Sequence, residues 1–365
     1  MEKRADFIKL KAELLCNGMR ITDDARAELL QKYPHFFVKG FIHATNLSVY
    51  GSNMCVSIAD GYSLNSKYTL CKDERGFRIK GEGVDVPVEF FGALPETGTV
   101  IDGMVQLHAP GCINIWPSSN CCYDTDELKC RFCSLEKVRN APASVGEIAN
   151  GLQKLLEKLG KGYMINISGG TYISPDNMAD YYIELVKRVR EFSDCPIAIE
   201  LAPPSDMGKL KELKDAGCTV VIMNIEIADP ELRKSICPGK SRISYEYYHA
   251  SLRYAVEIFG YGMVSSVLIG GIQPENDIIA ECEKLSDEGV FPTIMPFRPF
   301  DNCELCGFSP CSPDELIRMS ERLGEMLRSK GLAPEKQPGC TECGGCSVEN
   351  DCYKISPFVG AENAL

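Results

Sequence analysis

Cysteines gather in two places where their spacing could build a metal site. The stretch NCCYDTDELKCRFCSLEK carries Cys122, Cys130 and Cys133 in one short loop, spaced C-x7-C-x2-C. Soft thiolates select zinc, copper(I) or an iron-sulfur cluster. A structural zinc wants four protein ligands, whereas a cubane held by three leaves one iron open to a substrate or cofactor. Cys121 or Cys112 could supply a fourth ligand, so zinc remains an alternative for this loop. The second group is Cys340-x2-Cys343-x2-Cys346-x5-Cys352, with glycines that let the chain wrap closely. That density resembles ferredoxin ligation and suits a second [4Fe-4S] cluster, with zinc as the alternative. Cys303, Cys306 and Cys311 could add ligands or line a site mouth, while the scattered Cys16, Cys55, Cys71, Cys195, Cys218 and Cys282 read as small buried hydrophobes.

Three further patterns carry candidate polar or backbone groups. Ser168-Gly169-Gly170-Thr171 follows an apolar run, either as a plain glycine turn or as exposed backbone that could bind a ligand. Glu200, and Glu226 in Asn224-Ile225-Glu226, place carboxylates inside otherwise apolar strands, where a charge needs a ligand or a salt-bridge partner. LIGGIQPEND brings Gly270, Ile272 and Glu275 to the end of another apolar run.

The elements that must position these residues follow from periodicity. From about 100 to 300, short β-branched runs alternate with amphipathic stretches, the signature of βα units and a parallel sheet. The expected strands are 104–109, 163–168, 197–201, 219–227, 263–269 and 292–297. Between them lie helical patterns such as VGEIANGLQKLLEKLG, started by a Ser144/Glu147 capping box. Six such units are too few for a closed eight-stranded barrel and imply an α/β fold with a partial (β/α)6 TIM-like barrel, active residues at the C-terminal strand ends. Residues 1–100 form an N-terminal accessory region with helical patches and β-like segments; 301–365 form a Cys-rich C-terminal region with one clear helix.

Composition narrows the classes. The 365 residues are 44% hydrophobic and 25% charged, with a net charge of -12. Such a balance argues against a nucleic-acid partner. No run of apolar residues suggests a membrane span, and the charged opening MEKRADFIKLKAELL lacks the apolar core of a secretory signal, so a cytoplasmic location is expected. In a reducing compartment 19 cysteines point to metal or redox chemistry rather than disulfides.

Taken together, these motifs resemble the radical S-adenosylmethionine (SAM) superfamily over roughly residues 104 to 299. Members carry a cysteine triad after the first barrel strand, usually C-x3-C-x2-C with an aromatic residue before the last cysteine; here the first gap is wider and Phe132 takes the aromatic place. The resemblance implies a SAM-binding [4Fe-4S] cluster on Cys122, Cys130 and Cys133, with Cys121 as the alternative first ligand. It puts Phe132, Gly270, Ile272 and Glu275 near the adenine, and Gly169, Gly170 and Thr171 at the SAM ammonium, although Thr171 replaces the usual acid. Glu200 and Glu226 would hold ribose, the ammonium or substrate. The stretch MNIEIADPELRKSICPGKSRISYEYY is similar to the biotin synthase and lipoyl synthase subgroup, in which a basic residue, here Lys240 or Arg242, meets the SAM carboxylate.

The implied chemistry is reductive cleavage of SAM to a 5'-deoxyadenosyl radical that takes hydrogen from a small-molecule or cofactor-precursor substrate. An electron donor such as flavodoxin or ferredoxin and anaerobic conditions go with it. A peptide- or protein-modifying enzyme is the alternative within the superfamily; a non-catalytic electron carrier or zinc scaffold is the alternative outside it.

Overall fold

The computed structural model describes residues 2–32, 44–58, 61–91, 93–135 and 142–354. Its centre is a seven-stranded sheet in which six strands run parallel: β1 (Cys112–Ser118), β2 (Met164–Gly169), β3 (Ile197–Glu200), β4 (Val220–Ile222), β5 (Val264–Gly270) and β6 (Phe291–Pro296). They pair in chain order, each with the next. Helices fill the crossovers: α1 (Val145–Leu159), α2 (Pro175–Arg190), α3 (Gly208–Asp215), α4 (Pro230–Ile236), α5 (Tyr245–Phe259) and α6 (Glu275–Asp287). This is the partial TIM-like barrel anticipated from the βα alternation.

One strand differs from expectation. The segment 104–109 is not the first parallel strand but an antiparallel edge strand, Val105–Ala109, pairing Ala109 with Cys112. Gly111, at φ +77°, makes the hairpin turn that reverses the chain. The first parallel strand is Cys112–Ser118, buried on both faces. Alternation along these strands splits two environments. Ile113, Ile115, Ile165, Ile167, Ile199 and Val221 point outward and form one core with Leu152 and Leu155 of α1, Tyr182 and Val186 of α2, and Leu252 of α5. Asn114, Trp116, Asn166, Ser265 and Thr293 point into the barrel.

Helix starts follow local chemistry. Ser144 caps α1 by accepting from Glu147 N at 3.3 Å, and Glu147 Oε2 accepts from Ser144 N at 2.9 Å, the expected reciprocal box. Ser174 and Ser244 cap α2 and α5 in the same way from the N-cap position.

The N-terminal part builds a helix (Glu2–Asn17), a three-stranded sheet that includes Ala44–Val49 and Ser52–Ser57, and a four-stranded sheet that includes Thr69–Asp73 and Gly76–Gly81. Leu14, Met19, Leu47, Val56, Leu70 and Ile79 form its separate core. After β6, a helix, α7 (Pro313–Lys330), packs on α6 and on the N-terminal helix. The chain then passes beneath the barrel, where Gly339 N donates to Met164 Sδ at 3.0 Å and Gln337 bonds Gly262 O. Among the described residues, no helix is long and apolar enough to cross a membrane.

Candidate active site

The loop after β1 folds over the C-terminal ends of the strands, and neighbouring segments clamp it. Cys122 N donates to Thr171 O at 2.6 Å and Arg131 N to Ile236 O at 2.9 Å. Gly239 N donates to Leu128 O at 3.0 Å, and the Arg131 guanidinium bonds Ser235 O and pairs with Glu304 at 2.7 Å. Cys133 N closes a turn on Cys130 O at 2.9 Å.

Beneath the loop lies a cavity of about 170 Å³ lined by Cys121, Cys130 and Cys133, and also by Phe132, Gly169, Gly170, Thr171, Glu200, Glu226 and Lys240. Residues far apart in the chain therefore meet at one barrel mouth, as strand-end placement requires. Cys122 is not part of this lining. Its thiol donates to Cys121, and that bond outweighs burial to bring Cys121 down to about 6, whereas Cys122 itself is pushed up. Burial pushes Cys133 up to about 12.

The glycines are where backbone must touch backbone. Gly169 sits at φ +152°, and a Cβ there would meet Ser118 O at 2.3 Å; at Gly170 it would meet Asn120 O at 2.2 Å. Both positions exclude side chains and leave the peptide edge facing the cysteine loop.

Two carboxylates complete the mouth, Glu226 buried and Glu200 half-buried. Glu200 accepts from Asn224 Nδ2 at 2.7 Å, and burial raises its pKa. Glu226 pairs with Lys240 at 2.7 Å; burial opposes the Lys240 charge, but the Glu226 carboxylate overrides it and holds the ammonium well above its ordinary range. Glu226 adopts φ +68°, so the expected strand 219–227 stops at Ile222 and the chain continues as a kinked segment that stays bonded to β5, Met223 N donating to Ser265 O at 2.9 Å and Glu226 N to Val267 O at 2.8 Å. Gln273 holds the kink by accepting from Ala228 N at 2.6 Å and donating to Glu226 O at 2.9 Å.

Other sequence candidates fall elsewhere. Arg242 is exposed, outside the cavity lining. Gly270 faces α7, where an added Cβ would meet Met319 Cε at 2.9 Å. Ile272 packs with Phe132, Ile269 and Phe297 beside the mouth, and Glu275 pairs with Arg318 at 3.2 Å. Cys303 joins the Phe132 cluster, Cys306 is exposed and Cys311 is in the core.

Sequence reasoning missed Cys237, buried in the loop after α4, with its thiol against Cys130 and 3.8 Å from Glu226 Oε2. Its singleton position carries no spacing signal; only its place in the Pro-Gly loop could have flagged it.

A second, larger cavity of about 370 Å³ runs down the barrel interior and shares Phe132, Cys133, Leu135, Gly169, Glu200, Asn224 and Glu226 with the first. Its wall carries His108, Asn114, Trp116 and Asn166, and its floor Cys340, Cys343 and Cys346. Cys352 is instead packed in the core under α7, where a Cβ on Gly324 would touch its Cβ at 3.1 Å. Two buried cysteines outside the motif lie against the floor thiols without lining the cavity: Cys55 contacts Cys346, and Cys112 contacts Cys343. The Cys55 thiol and the Arg298 guanidinium bring Cys346 down to about 6 against the cost of burial. Burial alone lowers His108 to about 4, keeping it neutral, and its Nε2 has no partner.

Residues 126–285, which span most of the parallel barrel, match the family model described as Radical SAM superfamily. The chain therefore carries a radical SAM domain and is an enzyme. It is similar to the bacteriochlorophyllide c C-7(1)-hydroxylase of Chlorobaculum limnaeum, at 25% identity over 92% of this chain and 90% of that one. It is also similar to the mitochondrial lipoyl synthase of Arabidopsis thaliana, at 25% identity over 48% of this chain and 47% of that one. Among solved structures, methylornithine synthase aligns with a TM-score of 0.49 and 19% identity over 69% of this chain and 73% of that one.

Proposed function

We propose that this enzyme cleaves SAM reductively at the barrel mouth and uses the resulting radical on a small organic substrate held in the interior cavity. The observation that carries this reading is the continuity of the two cavities: thiols, glycine edges and carboxylates at the mouth open directly onto the interior chamber.

The residues fit the group the chemistry needs. Cys130 and Cys133 with one of the adjacent pair Cys121 and Cys122 are the candidate ligands of a [4Fe-4S] cluster, and the cavity lining supports Cys121 in the first position. Bound there with one iron open, such a cluster supplies the electron that splits SAM into methionine and a 5'-deoxyadenosyl radical. The protein's own part is binding and exclusion. We assign the Gly169 and Gly170 backbone to the SAM ammonium and Lys240 to its carboxylate, a reading supported by their place in the cavity lining, where the exposed Arg242 is not found. Glu200 and Glu226 offer acceptors to ribose hydroxyls, and Phe132 offers an apolar face.

Inside the chamber, His108 Nε2 and Asn166 Oδ1 are buried polar atoms without partners. Buried polar groups are normally satisfied, so these two support a substrate with polar groups of its own. A chamber of about 370 Å³ has the size of a site for a small molecule or cofactor precursor, which favours these over a polypeptide. We further assign the C-terminal cysteines to an auxiliary cluster, and a flavodoxin or ferredoxin as reductant in the cytoplasm. The test is product analysis: anaerobic, dithionite-reduced protein should release 5'-deoxyadenosine from SAM, and none above background would sink the reading.

A further inference from the structure

We propose that the auxiliary [4Fe-4S] cluster is held by Cys340, Cys343 and Cys346 together with Cys55 of the N-terminal sheet, and that Cys352 takes no part. This deepens the reading above and takes from it only the iron-sulfur chemistry.

The C-terminal motif supplies three thiols to the cavity floor, while Cys352 is drawn into the hydrophobic core between α7 and the barrel. What acts on Cys352 besides burial is Glu321, Glu349, Asp351 and Lys11, with no thiol of the motif among them, whereas Cys55 lies against Cys346. The strand Ser52–Ser57 is instead bound along the motif. Cys55 N donates to Gly345 O at 2.7 Å, Asn53 Nδ2 to Cys343 O at 3.0 Å, and Lys11 Nζ to Gly344 O at 2.9 Å. These bonds hold Cys55 against Cys346 although the two lie far apart in sequence.

Cys112 is the competing fourth thiol, since it contacts Cys343. Charge decides between them. Four thiolates on a [4Fe-4S]2+ core leave a net charge of about -2, and an enclosed anion needs a cation beside it. Arg298 lines the same cavity and donates from Nη1 to Cys55 O at 3.1 Å, so its guanidinium lies at the Cys55 and Cys346 side. Beside Cys112 stand Cys343, Cys340 and Glu342, none of which is a cation. The cavity itself argues for a cluster over zinc, because a structural zinc knot closes tightly around its ion, whereas Cys340, Cys343 and Cys346 line a chamber of about 370 Å³.

The experiment uses the full chain with Cys121, Cys122, Cys130 and Cys133 all replaced by Ala, so that only the floor site can bind. After anaerobic reconstitution with ferrous iron, sulfide and a thiol reductant, it should hold about four irons and show a reduced-cluster electron paramagnetic resonance signal. Adding Cys55→Ala should remove at least half of that iron; adding Cys352→Ala or Cys112→Ala should leave it intact. A Cys352→Ala loss matching that of Cys340→Ala, a Cys112→Ala loss with Cys55→Ala intact, or zinc in place of iron would each overturn the assignment. Should Cys55→Ala fail to fold, Cys55→Ser keeps a ligand and should shift the resonance lines while Cys352→Ser does not; unshifted lines in Cys55→Ser overturn it equally. SAM cleavage is read separately, on protein with the first cysteine loop intact.

Discussion

Replacing Gly170 with Ala is the sharpest perturbation of the mouth, because the structure states what the new methyl would strike. A Cβ there would lie 2.2 Å from Asn120 O, 2.6 Å from Asn120 C and 3.1 Å from Cys121 N. Ordinary contact requires more than 3 Å, so the cysteine loop must retreat by roughly 1 Å, and a displacement of that size costs about 10²-fold in rate where geometry governs reaction. The accompanying overpacking should cost about 1–3 kcal/mol of stability. The assay is the initial rate of 5'-deoxyadenosine formation, with iron content and thermal midpoint measured on the same sample. Gly146→Ala is the control: it lies in α1, nothing stands within 4 Å of its added Cβ, and it should gain about 0.5–1 kcal/mol with no change in rate. A Gly170→Ala enzyme that cleaves SAM at the unaltered rate would refute the placement of the cysteine loop against this glycine.

Other outcomes follow from the same geometry. Cys121→Ala should abolish SAM cleavage and remove one cluster's iron, whereas Cys122→Ala should retain that iron; the reverse pattern would return the first ligand position to Cys122. Lys240→Met leaves the buried Glu226 carboxylate uncompensated and should cost about 3–5 kcal/mol in denaturant unfolding, with much of it recovered in Lys240→Met/Glu226→Gln; an additive double mutant would deny the coupling. His249 stands between Glu281 at 2.9 Å and Glu288 at 2.8 Å, with Arg253 also on Glu288 and Tyr245 on Glu281. Burial opposes its charge, but the two carboxylates raise its pKa. Its stabilising contribution is therefore fully present below the unfolded value of about 6.5 and fades as pH rises through the higher folded value. The stability gap between wild type and His249→Gln should shrink over that window, and a gap that widens with pH would contradict the assignment.

What could be read from sequence was local. The βα alternation, the Ser144/Glu147 box and the cysteine loop all announce themselves within a few residues, and each structural part appears where its pattern lies. The first barrel strand escaped because Cys112–Ser118 alternates isoleucine with asparagine and ends in a proline, while the preceding segment imitates a strand start that a glycine hairpin then reverses. Glu226 was legible as a buried charge, but its left-handed backbone depends on Gln273, many residues onward. Cys55, Cys112 and Cys237 each stand alone in the chain, and only the folding of the N-terminal sheet, β1 and the loop after α4 brings them beside clustered thiols. Spacing records neighbours along the chain and cannot report such long-range meetings.

The most direct test of the central claim is SAM turnover by the anaerobically reconstituted, dithionite-reduced chain. Wild type should yield 5'-deoxyadenosine and methionine in equal amounts, and a variant with Cys121, Cys122, Cys130 and Cys133 replaced by Ala should yield neither while keeping the iron of the floor site. Equal product from both proteins, or none from wild type with its iron in place, would contradict the account.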